Sequence, residues 1–111
     1  MRVLVCGGRD YTDLVKVHRI LDEYLISCII HGAARGADTL AGKYAYFHSI
    51  PTEVYPAEWD KYGKSAGYIR NKQMLDKGKP DLVVAFPGGK GTNMMCDLAK
   101  KANVPVHRVD S

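Results

Sequence analysis

The chain has 111 residues, 46% hydrophobic and 25% charged, with a formal net charge of +4. These are ordinary globular values: one domain over residues 1–111 with a single core, and no apolar run long enough to cross a bilayer. The mild positive balance favours anionic ligands, fits a solvated basic surface at least as well, and is too mild to establish nucleic-acid binding.

Residues 2–6 read as a strand ending in Cys6, followed by Gly7-Gly8-Arg9-Asp10. This turn lacks the third glycine of the G-x-G-x-x-G dinucleotide fingerprint. Arg9 and Asp10 suit recognition of an anion and a ribose hydroxyl, or an ion pair that pins the loop. A helix is predicted over 12–26, with Leu14, Val17, Leu21, Tyr24 and Leu25 on one face. Residues 27–31 form a second strand. It ends in His31 rather than the acid that would hold an NAD ribose, which argues against a nicotinamide oxidoreductase. His31 itself reads as a satisfied strand-end histidine.

The turn Gly32-Ala33-Ala34-Arg35-Gly36 leads into a helix over 37–48 that buries Leu40, Ala41, Tyr44 and Ala45. Arg35 at a helix start opposes the helix dipole, and a bound anion would relieve that conflict. Asp38, in the first turn, complements the dipole. After a short strand over 52–55 comes an irregular segment, 56–66. Its Trp59 and Tyr62 suit stacking on a base with Lys64 near phosphate, or Trp59 simply staples the loop to the fold.

A helix over 67–77 follows, with Arg70 and Gln73 on a shared face. Arg70 reaches a ligand if this helix starts at the ligand crevice. Residues 81–86 form a fourth strand, 93–102 its helix and 105–109 a last strand. Between strand and helix stands Phe86-Pro87-Gly88-Gly89-Lys90-Gly91-Thr92-Asn93, the most informative stretch of the chain. Glycines let backbone amides approach a phosphate, a helix N-terminus adds partial positive charge, and Thr92 caps the helix or donates to a phosphate oxygen. A tight strand-to-helix turn without a ligand is the plainer alternative.

Strands alternating with helices predict an α/β three-layer sandwich with a parallel five-stranded sheet in order 3-2-1-4-5. The sheet then reverses direction between its first and fourth strands. Ligands bind outside the carboxyl ends of strands at such a switch point, and all three glycine loops lie at carboxyl ends. The three cysteines, Cys6, Cys28 and Cys96, are odd in number and have no metal-binding spacing; Cys6 and Cys28 fall inside predicted strands and read as small buried hydrophobes of a reducing compartment, so cytoplasmic location is the default. No cofactor or metal is expected, and no catalytic triad or metalloprotease motif is present. Tyr24, Tyr44, Tyr46 and Phe47 are more aromatics than singly buried helices need, a hint of a homo-oligomer.

Cys6-Gly7-Gly8-Arg9-Asp10, His31-Gly32-x-x-Arg35-Gly36-Ala37-Asp38, Trp59-x-x-Tyr62-Gly63, Ala66-Gly67-x-x-Arg70-Asn71 and Phe86-Pro87-Gly88-Gly89-x-Gly91-Thr92 together resemble the YspA-type SLOG proteins. The resemblance runs over nearly the whole chain. It implies a minimal Rossmann-like domain of bacteria and their phages that binds nucleotides or nucleotide derivatives. The implied ligand-binding set is Gly7, Gly8, Arg9, Asp10, Gly32, Arg35, Gly36, Asp38, Trp59, Arg70, Asn71, Pro87, Gly88, Gly89, Gly91 and Thr92.

Two relatives in the wider superfamily sharpen the expectation. The LOG phosphoribohydrolases carry a pattern similar to P-G-G-x-G-T-x-x-E after an R-K-x-x-M helix. Here Arg70 and Met74 match, while Asn71 stands at the lysine position and Met95 at the glutamate position. A thioether does not do a carboxylate's work on a glycosidic bond, so the expectation is ligand retention with Met95 packed against base or ribose. Arg70 is catalytic only if the protein is a hydrolase. The DprA proteins, which bind single-stranded DNA, have a segment similar to residues 32–38. This chain, however, lacks an extended basic and aromatic track, so nucleic acid is the least favoured partner.

Overall fold

In the computed structural model, which describes residues 1–110, the centre of the sheet is β1 (Arg2–Cys6). It pairs on one side with β2 (Cys28–His31) and on the other with β4 (Leu82–Ala85). β3 (Thr52–Val54) and β5 (Val106–Arg108) form the edges. All pairs are parallel and the order is β3-β2-β1-β4-β5, a Rossmann-like arrangement.

Side chains alternate across the sheet, so each strand feeds two cores. Val3, Val5, Ile29, Leu82, Val84 and Phe86 pack beneath α1 (Leu14–Leu21) and α2 (Ala37–Phe47). Leu4, Cys6, Ile30, Val83 and Ala85 pack beneath α4 (Ala66–Asp76) and α5 (Lys90–Lys101). Full burial of such aliphatic side chains stabilises the fold by roughly 1.5–3 kcal/mol each before entropy is counted. Among the described residues, no helix is long and apolar enough to cross a membrane.

Three elements depart from the sequence expectation. α1 ends at Leu21 rather than at 26, with tight turns from Glu23 N–H to the Ile20 carbonyl and Tyr24 N–H to the Leu21 carbonyl. Val17, Ile20 and Leu21 are its buried residues, whereas Leu25 is 92% exposed: the apolar period runs past the point where the chain turns away. The segment 56–66 is not irregular throughout. It contains a one-turn helix, α3 (Trp59–Tyr62), and a 3-10 turn (Gly63–Ser65), both too short to show a period in sequence. α5 begins at Lys90, not at 93, because two residues that disfavour helix, Gly91 and Thr92, sit inside its first turn.

The aromatic residues on α1, α2 and the turn between β2 and α1 divide. Tyr44 is buried and its hydroxyl donates to Asp22, and the Tyr24 hydroxyl is bonded to His107. Tyr46 and Phe47 project into solvent.

Candidate functional site at the switch point

The loops after β1, β2 and β4 meet at one end of the sheet and are tied to each other through Gly8. Its N–H donates to the Pro87 carbonyl at 2.8 Å, and its own carbonyl accepts from Ala37 N–H at 3.1 Å and Tyr11 N–H at 3.3 Å. The close approach requires glycines. A Cβ on Gly8 would stand 2.9 Å from the Pro87 carbonyl, and one on Gly88 would stand 2.7 Å from Gly8 N. Gly36, at φ +79°, would press a side chain onto the Gly8 carbonyl and the Arg9 backbone. These glycines therefore build the floor of the site.

Gly89 and Gly91 are different. A Cβ at either would meet nothing within 4 Å, and both face a cavity of about 590 Å³. Gly89 is the N-cap of α5 and has no side chain to satisfy the helix start. Asn93 N–H bonds back to the Gly89 carbonyl at 3.0 Å, so the three amides before it lie at the partnerless end of the helix. Thr92 neither caps nor leads the helix. It is the third residue of α5, buried, with its hydroxyl packed against Gly88.

Facing this helix start across the cavity is Arg70. Its Nη1 donates to the Gly32 carbonyl at 2.7 Å and its Nε to Asn71 Oδ1 at 2.9 Å. Asn71 is itself buried, so the guanidinium is held from below on α4. Burial lowers the Arg70 pKa from its ordinary value; the charge of Asp38 opposes that shift, and the positive charge of Arg9 adds to it. Two guanidinium groups thus repel across one crevice.

Asp38 is the one carboxylate lining this cavity, and its Oδ2 is already engaged. It accepts from Gly32 N–H at 3.1 Å and Ala34 N–H at 3.2 Å, fixing the turn after β2. Burial raises its pKa; the Ala34 amide, His31, Arg70 and the Gly32 amide pull it back. His31 Nδ1 accepts from Ala33 N–H at 3.1 Å, and burial lowers its pKa against the opposing charge of Asp38. It is a neutral strand-end histidine as the sequence suggests, and it lines neither cavity of the crevice.

A second cavity of about 500 Å³ adjoins the first and is lined by Gly32, Ala33, Arg35, Pro56 and Ala57. Arg9, Ala34, Trp59 and Arg70 line both. Of the expected site residues, Gly7, Gly8, Arg9, Asp38, Trp59, Arg70, Asn71, Gly89, Gly91 and Thr92 line the first cavity, and Gly32 and Arg35 the second. Asp10, Gly36, Pro87 and Gly88 line neither. Asp10 instead pairs with Arg35 at 3.2 Å on the exposed rim, and Arg9 is the guanidinium that shares the first cavity with Arg70.

Two expectations change. Met95 does not pack against a ligand: it is fully buried in the core with Leu4, Cys6, Cys96 and Ala99, and its neighbour Met94 lines the cavity instead. Tyr62 is also absent from the lining; Lys61 sits over its ring at 5.0 Å. Tyr68, Lys90, Met94 and Cys6, which the sequence did not single out for the site, complete the first cavity together with Lys64 and Met74. The place of Tyr68 in the first turn of α4, at the end of the helix that opens on the crevice, was the available signal. The neighbouring Cys96 thiol together with burial holds the Cys6 thiol well above the ordinary range. Among the described residues no cluster of His, Cys, Asp and Glu is suited to a metal ion.

The sheet order, the helix-bearing layers and the cationic crevice at the switch point define a Rossmann-like α/β protein whose candidate site is built from three strand-end loops. A sequence model described as YspA, cpYpsA-related SLOG family (YAcAr) matches residues 1–62. The Gene 61 protein of Mycobacterium phage D29 is 36% identical over 118 aligned residues, covering 95% of this chain and 93% of that protein. The chain belongs to the YspA, cpYpsA-related SLOG family.

Proposed function

We propose that the protein binds a phosphorylated nucleoside or a nucleotide-derived small molecule in the switch-point crevice and holds it, as a sensor or a sequestering module. The observation that carries this reading is the pairing of Gly89 and Gly91 with Arg70. Two glycines stand where neither packing nor a positive φ requires them, at the amide-rich start of a 12-residue helix, facing a half-buried guanidinium. Gly91 lies inside the helix, where glycine costs roughly 0.5–1 kcal/mol relative to alanine. Room for a phosphate gives that cost a purpose, and anions bind well at such helix starts. The exposed faces of Trp59 and Tyr68 supply stacking surface for a base. Similarity to a phage protein fits a phage-encoded module.

Gly89→Asp tests the reading. The side chain enters open space, so the fold is retained, but its bulk and charge occupy the cradle. Nucleotide binding by calorimetry should disappear while the far-UV spectrum is unchanged. Undiminished affinity in the folded variant would refute the site.

A hydrolytic reading retains one supporting observation, the presence of Asp38, with its raised pKa, in the wall of the same cavity. Its engaged Oδ2 suits a structural role better. Incubation with nucleoside mono-, di- and cyclic phosphates separates the two: binding alone leaves no free base on chromatography, whereas multiple turnover lost in Arg70→Ala establishes an N-glycosidase. The expectation of self-association rests on the exposed Tyr46 and Phe47.

A further inference from the structure

The crevice has two compartments with a shared wall, and their lining differs in kind. The compartment at α5 is long and carries Arg9, Lys64, Arg70 and Lys90, with Trp59, Tyr68 and Met94 as stacking surface. The compartment beyond the shared wall is lined by the small residues Gly32, Ala33, Ala34, Pro56 and Ala57, with Arg35 on its rim and Arg9, Trp59 and Arg70 on the shared wall. Volumes of about 590 and 500 Å³ mean that either alone lies within the roughly 300–1,000 Å³ that encloses a drug-sized ligand. A nucleoside monophosphate seated on the α5 amides therefore fills one compartment and leaves the other to solvent.

The residues common to both compartments are informative. Arg9, Ala34, Trp59 and Arg70 form a waist. Arg70 is anchored there by Gly32 and Asn71, and among the described residues Arg9 forms no salt bridge. Asp38 is the nearby carboxylate, and its Oδ2 is spent on two backbone amides. The waist thus concentrates positive charge that the protein leaves uncompensated, and charge in a partly desolvated cleft favours an anionic group. Arg35, by contrast, is paired with Asp10 on the exposed rim, so the charge the far compartment leaves free is that of the waist it shares. The pattern is stacking surface, anion-binding waist, then a slot of small residues flanked by arginines, whose N–H groups can donate to hydroxyls.

Building on the nucleotide-binding reading, we propose that the ligand is two-ended: a nucleoside diphosphate esterified on its terminal phosphate by a second sugar. The nucleoside lies along Trp59, Tyr68 and Met94. The diphosphate runs from the α5 amides through the Arg9–Arg70 waist, and the second sugar occupies the slot between the turn after β2 and Pro56-Ala57.

Matched pairs test this on the intact protein: ADP against ADP-glucose, GDP against GDP-mannose, and UDP against UDP-glucose, by calorimetry. At least one sugar-bearing partner should bind tenfold or more tightly than its parent diphosphate. Ala57→Trp fills the slot, and should bring that ratio to about one while leaving the parent diphosphate's affinity unchanged. Ala57→Asp, a smaller change at the same place, should reduce the ratio if the tryptophan variant does not fold. Equal affinity within every pair overturns the two-ended ligand, as does an advantage that survives both substitutions. Either result leaves the nucleotide site standing if Gly89→Asp still abolishes binding of the parent diphosphate. Absence of binding by every compound overturns both readings.

Discussion

Arg70 lies against the backbone of Gly32, and each residue explains the other. The guanidinium donates to the Gly32 carbonyl at 2.7 Å, and a Cβ on Gly32 would collide with Nη1 and stand 2.9 Å from Cζ. Gly32 shows no positive φ, so its backbone does not demand glycine. The space its missing side chain leaves belongs to arginine.

Gly32→Ala should therefore behave as an arginine mutation. The methyl group displaces Arg70 from the crevice, and overpacking of this kind costs roughly 1–3 kcal/mol. Urea denaturation should show that loss, and nucleotide affinity should fall about as far as in Arg70→Ala. A Gly32→Ala protein with full affinity would separate the two residues.

Gly91→Ala should do the opposite to the fold. The residue lies in the first turn of α5 with open space around its Cβ, so alanine adds helix propensity without a clash. A gain of about 0.5–1 kcal/mol is expected in chemical denaturation. A loss would reveal a constraint at Gly91 other than ligand access.

Met95→Glu is expected to destabilise rather than to create a hydrolase. The side chain is fully buried among Leu4, Cys96 and Ala99, and an unpaired carboxylate there costs several kcal/mol. The midpoint of thermal unfolding should drop by many degrees with no release of free base. A stable variant that releases base would place residue 95 in the active crevice after all.

Acidification should weaken the fold through His31. Its folded pKa is lowered by burial, so its contribution is complete above the ordinary histidine value of about 6.5 and is lost as pH falls below it, where the unfolded chain takes up the proton first. Asp38 runs the other way: its raised pKa gives stability that is present below the ordinary carboxylate value and declines as pH rises through the folded one. From about pH 6.5 down to 5 the two oppose each other, so a variant without the imidazole isolates the histidine. Denaturation midpoints measured over that window should fall further for the wild type than for His31→Asn, whose side-chain oxygen can still accept from the Ala33 amide. Parallel curves would remove His31 from the account.

Strand order and the gathering of the glycine loops were legible because they follow from the alternation of elements and the handedness of crossovers, which residue types report directly. The division of labour among the glycines was not. Gly8, Gly36 and Gly88 look like Gly89 and Gly91 in sequence, yet the first three are packed against neighbouring backbone and the last two face open space. That difference depends on contacts across about 30 to 80 residues of chain, which no local pattern encodes. The same holds for Met94 and Met95: adjacent thioethers differ by about 100° around a helix, and the packing of α5 on the sheet decides which one faces the crevice. Arg35 showed its positive charge but not its partner Asp10, which a separate loop supplies.

The knot of backbone bonds at Gly8 joins parts of the chain that are made far apart in time. Its carbonyl awaits the helix that begins at Ala37, and its amide awaits Pro87. The crevice is therefore among the last things to come into being during synthesis, and it vanishes with the first cooperative opening of the sheet. A molecule bound there holds the whole architecture closed: at a hundred times its dissociation constant it adds about 2.7 kcal/mol to the work of unfolding. In a cell that degrades opened chains, the abundance of this protein would rise and fall with its ligand, so occupancy would be recorded as survival.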